Sequence, residues 1–251
     1  MNPSKSKGNL RRVHRWLALI FSVSVLMSAG SGILHSIMSR GQSPPPPARP
    51  GGVGLDVGQM SVTVADAEAR LRKDLAGRDP NGPAREAPLV AVNIRVIDKI
   101  PWYQLFVRGV PVPFYVNATT GEVKAEQDEI YACQIATEFL GGSNTRKTDY
   151  LTVFNREYIN IFRILPVYRF DADDGKGTRV YVSTITGSVT RHTDNRKQWE
   201  ADIFSIFHKW MFIPNKDIRD LVTTVMNAGV ILVVLLGLML FFVTQIQHRQ
   251  N

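Results

Sequence analysis

Two nine-residue stretches decide the fold of this chain: residues 115–123 read YVNATTGEV, and residues 181–189 read YVSTITGSV. Five of the nine positions are identical, and each matched pair lies 66 residues apart. Each stretch alternates like a β-strand, turns at a Thr-Gly pair and resumes as a short strand. Because glycine supplies the positive φ that a tight turn needs, Gly121 and Gly187 predict two equivalent hairpins.

The segments that precede the hairpins also repeat. The apolar spacing of residues 64–75, and again of residues 129–140, is typical of an amphipathic helix. Strand-like runs follow each helix, at residues 90–97, 102–107 and 112–116 and then at 158–165, 167–170 and 179–185. An antiparallel sheet with one apolar face needs such a helix as its cover. The sequence therefore predicts an α+β fold of two tandem helix-plus-antiparallel-sheet units, over residues 60–126 and 127–195.

Two apolar segments flank these units. Residues 16–38 and 219–244 are each predicted to form a transmembrane helix, because about 20 mostly apolar residues cross a bilayer. The first segment also has the charged start and the small residues of a cleavable signal peptide, and this alternative stays open. The second segment contains VILVVLLGLMLFFV, residues 230–243, which is almost purely aliphatic and aromatic.

The charge of the chain indicates its orientation. The formal net charge is +8, and residues 1–15 form a basic tail with five cations and no acid. By the positive-inside rule this tail is cytoplasmic, so the main domain is periplasmic or otherwise extracytoplasmic, and residues 245–251 form a second cytoplasmic tail. We therefore expect a two-pass protein of the inner (plasma) membrane. A nucleic-acid partner is not expected, because the basic excess lies in the tail and not on a domain face.

Two further segments connect the domain to the membrane. Residues 39–59 form a Pro/Gly-rich linker whose core, GQSPPPPARPGGVG, predicts a polyproline II spacer. Residues 196–213 carry five tryptophans and phenylalanines and predict an amphipathic helix in the outer membrane interface. A last domain helix that covers the sheet is an equally good interpretation of that segment.

Each repeat resembles a PepSY domain, which combines an amphipathic helix with a closing strand–turn of the form Y-x-V-x-x-x-T-G-x-V. HRWLALIF, from His14, is similar to the start of the transmembrane helix associated with that domain, and FHKWMF, residues 207–212, is similar to a stretch before a later span. The resemblance implies two PepSY-like units, 60–126 and 127–195. Larger proteins of this group have four spans and include haem-containing reductases of iron siderophores, whereas this chain has two.

Four histidines cluster at the predicted membrane boundaries. His14 and His248 lie at the cytoplasmic ends of the two spans, while His35 and His208 lie at the outer level. One histidine from each helical arm at each level is the minimum for bis-imidazole ligation of haem, so haem b is a candidate cofactor, with His35 and His208 the first choice. Histidines that are simply packed or that contact head groups are the alternative.

Two functions follow as hypotheses. The first is a non-enzymatic binding or regulatory module that the membrane holds near its partner. The second is a haem b electron-transfer subunit related to the iron-siderophore reductases, in which dimerisation would restore four spans. Candidate partners are the membrane itself, a second copy of the chain or another membrane protein. The sequence offers no catalytic residue and no metal site other than the haem ligands, and its one cysteine excludes a disulfide framework within a chain.

Overall fold

The structure, a computed structural model of the 251-residue chain, describes residues 3–40, 48, 54–79, 82–162 and 164–248. The side chains of residues 3–7 and 243–248 lie outside this description, as does most of the predicted polyproline spacer. The chain divides into two compact units, which we describe separately. The helical unit contains residues 1–43 and 196–251, and the α+β unit contains residues 44–195.

The α+β unit holds two antiparallel sheets, which confirms the predicted α+β class. Its first sheet has the order β1-β2-β3 and its second the order β4-β5-β6-β7. The elements of the chain are α1 (Pro3–Ser39), α2 (Val64–Arg78), β1 (Leu89–Ile97), β2 (Ile100–Val107), β3 (Phe114–Asn117), α3 (Gln127–Phe139), β4 (Thr145–Leu151), β5 (Val167–Ala172), β6 (Arg179–Ser183), β7 (Ser188–Thr193), α4 (Asn195–His208) and α5 (Lys216–His248).

Helix α2 and the first sheet form the N-terminal half of the α+β unit. The Thr63 hydroxyl caps α2 by accepting from the Asp66 N–H, which satisfies a donor that has no partner within the helix. Leu71 and Leu75 on the buried stripe of α2 pack with Leu105 and Val116 of the sheet. This half therefore has the predicted arrangement of one helix on one sheet face.

Helix α3 and the second sheet form the C-terminal half. One hydrophobic cluster joins α3 to both sheets: it contains Ile135 and Phe139 of α3, Val182 of the second sheet, and Trp102 and Tyr115 of the first. Helix α3 thus covers the second sheet and also meets the face of the first sheet that α2 leaves open. The far face of the second sheet packs against the irregular segment 152–166.

The two hairpin turns have the same register. Val116 pairs with Val123 across the first turn, and Val182 pairs with Val189 across the second. Gly121 has a φ of 78° and Gly187 a φ of 63°, so both occupy the positive-φ position that the repeat predicts.

One predicted strand of the C-terminal half is wrong. Residues 158–165 do not form a strand but contain a short 3-10 helix at Asn160–Phe162, after a turn in which the Asn155 side chain accepts from the Glu157 and Tyr158 N–H groups. The strand that the sequence did not predict is β4, which reads TRKTDYL. Its polar side chains are exposed at a sheet edge, so apolar alternation could not reveal it.

The helical unit contains two helices long and apolar enough to cross a membrane, within residues 8–39 and 216–242. They pack antiparallel, since the ring of Phe21 lies over Gly229 and the imidazole of His14 over Gly237. A Cβ at Gly229 would stand 2.1 Å from the Phe21 ring, so this glycine permits the close approach of the helices. The basic residues predicted as a tail belong to α1, which begins at Pro3.

Candidate functional site: the histidine face of the helical unit

His35 of α1 is bound to a buried carboxylate. Its Nδ1 atom lies 2.6 Å from Oε1 of Glu200 on α4. Glu200 is only 7% exposed, whereas the His35 side chain is more than half exposed. A buried carboxylate needs a hydrogen-bond partner, so this contact fixes α4 against α1.

His208 lies on the same face of α4 as Glu200, about two helical turns further along the chain. Its Nδ1 atom lies 3.4 Å from the hydroxyl oxygens of both Ser28 and Ser31 on α1. The spacing of Glu200, Phe204 and His208 places them on one stripe of α4, because residues four apart are neighbours on a helix. The structure therefore brings His35 and His208 to the same pair of helices, α1 and α4.

The ring of Phe204 contacts both imidazoles. It stacks on His208 at a centroid distance of 4.5 Å and lies 5.5 Å from His35. Two imidazoles that ligate one haem iron face each other across it. The Phe204 ring thus packs against both histidines. Ligation of a haem by His35 and His208, within one chain or across two, stays a prediction.

Of the inner pair, only the His14 side chain lies within the described residues. His14 packs over Gly237, with its Nε2 atom 3.1 Å from the position that a Cβ would take. His14 therefore fills a gap between α1 and α5, which is the packing alternative. His248 is the last residue of α5, and its side chain lies outside the described residues. Across the described part of the chain, no group of three or more histidine, cysteine or acidic side chains could hold a metal ion.

A buried polar network lies where the two halves of the α+β unit meet. The hydroxyl of Tyr115 donates to Asp128 at 2.8 Å, and Gln104 donates to Tyr115 at 2.7 Å and to the Thr184 carbonyl at 2.9 Å. Asp128 also accepts from the hydroxyls of Thr184 and Tyr168. Burial raises the pKa of Asp128, because its 3% exposure removes water from the carboxylate and the hydrogen bonds offset this only in part.

A second carboxylate network lies on the far face of the second sheet. Arg179 donates to Glu157 at 2.9 Å, and the Tyr181 hydroxyl donates to the same carboxylate. Burial acts to raise the pKa of Glu157, but the hydrogen bonds from Arg179 and Tyr181 and the guanidinium charge outweigh it, so the pKa is lowered. Both networks join elements of the fold, and their polar groups are bound to one another.

An exposed apolar patch lies on the segment that covers this face. Val153 is 70% exposed and Ile161 is 63% exposed, and Phe154, also exposed, stacks on Tyr158 at 6.1 Å. Apolar side chains concentrated on one irregular segment are typical of a protein-binding surface. We refer to Val153, Phe154 and Ile161 as the apolar patch.

Sequence reasoning missed Glu200 and Asp128. The four-residue spacing of Glu200, Phe204 and His208 was a signal that these side chains share a helix face. No comparable signal marks Asp128, because its partners lie both before and after it in the chain. Comparisons with the models of known protein families, with curated proteins and with solved structures find no match to this chain.

Proposed function

We propose that the chain is a non-enzymatic binding or regulatory protein of the inner membrane. In this proposal α1 and α5 both span the bilayer, the two termini are cytoplasmic, and the α+β unit is a periplasmic pair of PepSY-like units. The antiparallel packing of α1 and α5 supports two spans that begin and end on one side. The common register of the Gly121 and Gly187 turns supports two copies of one unit.

The apolar patch is the observation that carries a binding role. Val153, Phe154 and Ile161 leave apolar side chains in water on the same segment that buries Tyr158. Such a surface is unfavourable unless a partner covers it for part of the time. The partner that fits is a protein in the same compartment with an apolar contact surface of its own.

A topology experiment tests the membrane part of the proposal. Reporter fusions after residue 120 and at the C-terminus should report an external and a cytoplasmic position, respectively. A cytoplasmic position for residue 120 would overturn the proposed orientation. A mature protein that lacks residues 1–30 would show that the first segment is a cleaved signal, and that result would also overturn it.

A crosslinking experiment tests the binding part. A photo-reactive amino acid replaces Val153 in the full chain in living cells, and the matched control carries it at Arg146 on the charged edge strand β4. We expect a discrete protein adduct from position 153 and little from position 146. Equal labelling at both positions, or none at 153, would contradict a binding role for the patch.

The haem alternative has a direct spectroscopic test. If the chain is a non-enzymatic module, purified full-length protein should show no haem bands in a reduced-minus-oxidised spectrum. Haem bands that disappear in the His35→Ala and His208→Ala variants would instead show that these histidines ligate haem and would favour the electron-transfer alternative.

A further inference from the structure

The β1 edge of the first sheet is open. In the part of the chain that the structure describes, β1 pairs with β2 alone, and it is the longest strand of either sheet. The other sheet is better protected: β4 carries charged side chains, and the β7 N–H of Val189 donates to the Ala48 carbonyl. Natural sheets protect their edges because an open edge pairs readily with another strand.

The turn between β1 and β2 shows which backbone groups the edge offers. Asp98 and Lys99 form a two-residue turn with φ values of 50° and 66°, so Ile97 and Ile100 close the hairpin as a hydrogen-bonded pair. Alternation along the strand then directs the N–H and C=O groups of Val92 and Ile94 away from β2. The Val96 carbonyl also points outward, and it accepts from the Gln134 side chain at 3.4 Å.

The exposed side chains along this edge are apolar. Val90 is 53% exposed and Ile94 is 43% exposed, while Val92 is half-buried. Val92 and Ile94 face the α2 side of the sheet, because they stand opposite Leu105 and Tyr103. Backbone groups and side chains of the same two residues are therefore both available to a partner.

The sequence of β1 is complementary to itself in the antiparallel direction. If Asn93 of one chain stands opposite Asn93 of another, Val92 stands opposite Ile94 and Ala91 opposite Arg95, so apolar side chains meet on one face and the small alanine leaves room for arginine. Both Val92–Ile94 pairs then have outward backbone groups on each strand and can exchange two hydrogen bonds each. A two-fold interface requires this kind of self-complementarity.

We propose that β1 is a dimerisation strand that pairs antiparallel with β1 of a second copy, centred on Asn93. A single pair of strands buries a small area and would be weak between free molecules. Two copies anchored in one bilayer, as the proposed function has them, are confined to a plane and meet at a high effective concentration. The dimer joins the two first sheets into one and removes their open edges.

Cysteine crosslinking in membranes tests both the partner and the register. The variant Asn93→Cys is made in a Cys133→Ala background and treated with an oxidant. In the proposed register the two Asn93 residues form a non-hydrogen-bonded pair, whose Cα separation of about 4.5 Å suits a disulfide. We expect a dimer band from this variant and little from Ala91→Cys, which lies on the same face opposite Arg95.

Three results would overturn the proposal. These are no dimer band from Asn93→Cys, equal bands from both cysteine variants, or an adduct of Asn93→Cys with a protein of another mass. Adding Ile94→Lys should reduce the crosslink several-fold, because it buries a charge opposite Val92, whereas Val153→Lys on the apolar patch should not. Because the patch is tested separately, loss of the patch adduct would leave this dimer intact, and loss of the dimer would leave the patch adduct intact.

Discussion

The two halves of the α+β unit place the same repeated tyrosine and valine in different surroundings. In each half the valine of the repeat faces its own helix, Val116 toward α2 and Val182 toward α3, while the preceding tyrosine faces the other way. Tyr115 then meets α3 and donates to Asp128, but Tyr181 meets the irregular segment and donates to Glu157. The repeat therefore determines the direction of the tyrosine, and the surroundings determine its partner.

The two carboxylate networks differ in whether a cation takes part. Glu157 is paired with the guanidinium of Arg179, whereas the bonds that reach Asp128 come from the neutral hydroxyls of Tyr115, Tyr168 and Thr184. The carboxylates that these two equivalent tyrosines bind thus have pKa values that move in opposite directions. Two repeats that share a sequence motif can therefore differ in the electrostatic surroundings of that motif.

The largest expected difference between the halves comes from their turn glycines. A Cβ at Gly187 would stand 2.6 Å from the Tyr131 hydroxyl, which is held in the core, whereas a Cβ at Gly121 meets the guanidinium end of the exposed Arg70 side chain. We expect Gly187→Val to lower the free energy of unfolding by about 3 kcal/mol and Gly121→Val by about 1 kcal/mol, since both add backbone strain and only the first adds a fixed clash.

Pulse proteolysis of the full chain in detergent micelles measures this difference. Gly109 offers a matched control, because it also has a positive φ but has no atom near its Cβ position. Equal losses at positions 121 and 187 would show that the two turns differ less than their surroundings suggest.

Removing the tyrosine hydroxyls should give a smaller contrast. Tyr115→Phe leaves buried Asp128 without one of its donors, and we expect a loss of about 2 kcal/mol. Tyr181→Phe leaves Glu157 bound to Arg179, so a loss of about 1 kcal/mol is expected. The same proteolysis assay compares the two variants, and a larger loss from Tyr181→Phe would reverse our ranking of the two networks.

The smallest expected effect is that the contributions of Asp128 and Glu157 to stability change with pH in opposite directions. The folded-state pKa of Asp128 is raised, so its contribution to stability is fully present below the unfolded value of about 3.9 and is lost as pH rises through the folded value. The folded-state pKa of Glu157 is lowered, so its contribution is present above about 4.3 and is lost as pH falls through the folded value.

Denaturation of the full chain between pH 3 and pH 8 separates these contributions. As pH rises, the wild type should lose stability relative to Asp128→Asn and gain stability relative to Glu157→Gln. Parallel pH profiles for the two variants would contradict the opposite pKa shifts.

Local patterns in the sequence predicted much of the fold but little of the site. The Gly121 and Gly187 turns and the two long apolar helices follow from short-range spacing, and both are present in the structure. Strand β4 could not be predicted, because most of its side chains are exposed and polar, so it shows no apolar alternation. The bond from His35 to Glu200 joins residues 165 positions apart, so no local pattern could indicate it.

The position of α3 also has a consequence for synthesis. As the chain emerges, Trp102 and Tyr115 can form their strands early, but the surface they present stays uncovered until α3 and its sheet have been made. Asp128 accepts hydrogen bonds from residues translated both before it and after it, so neither half completes its buried network alone. The two halves should consequently open as one cooperative unit, and their slowest amide protons should exchange at a common rate.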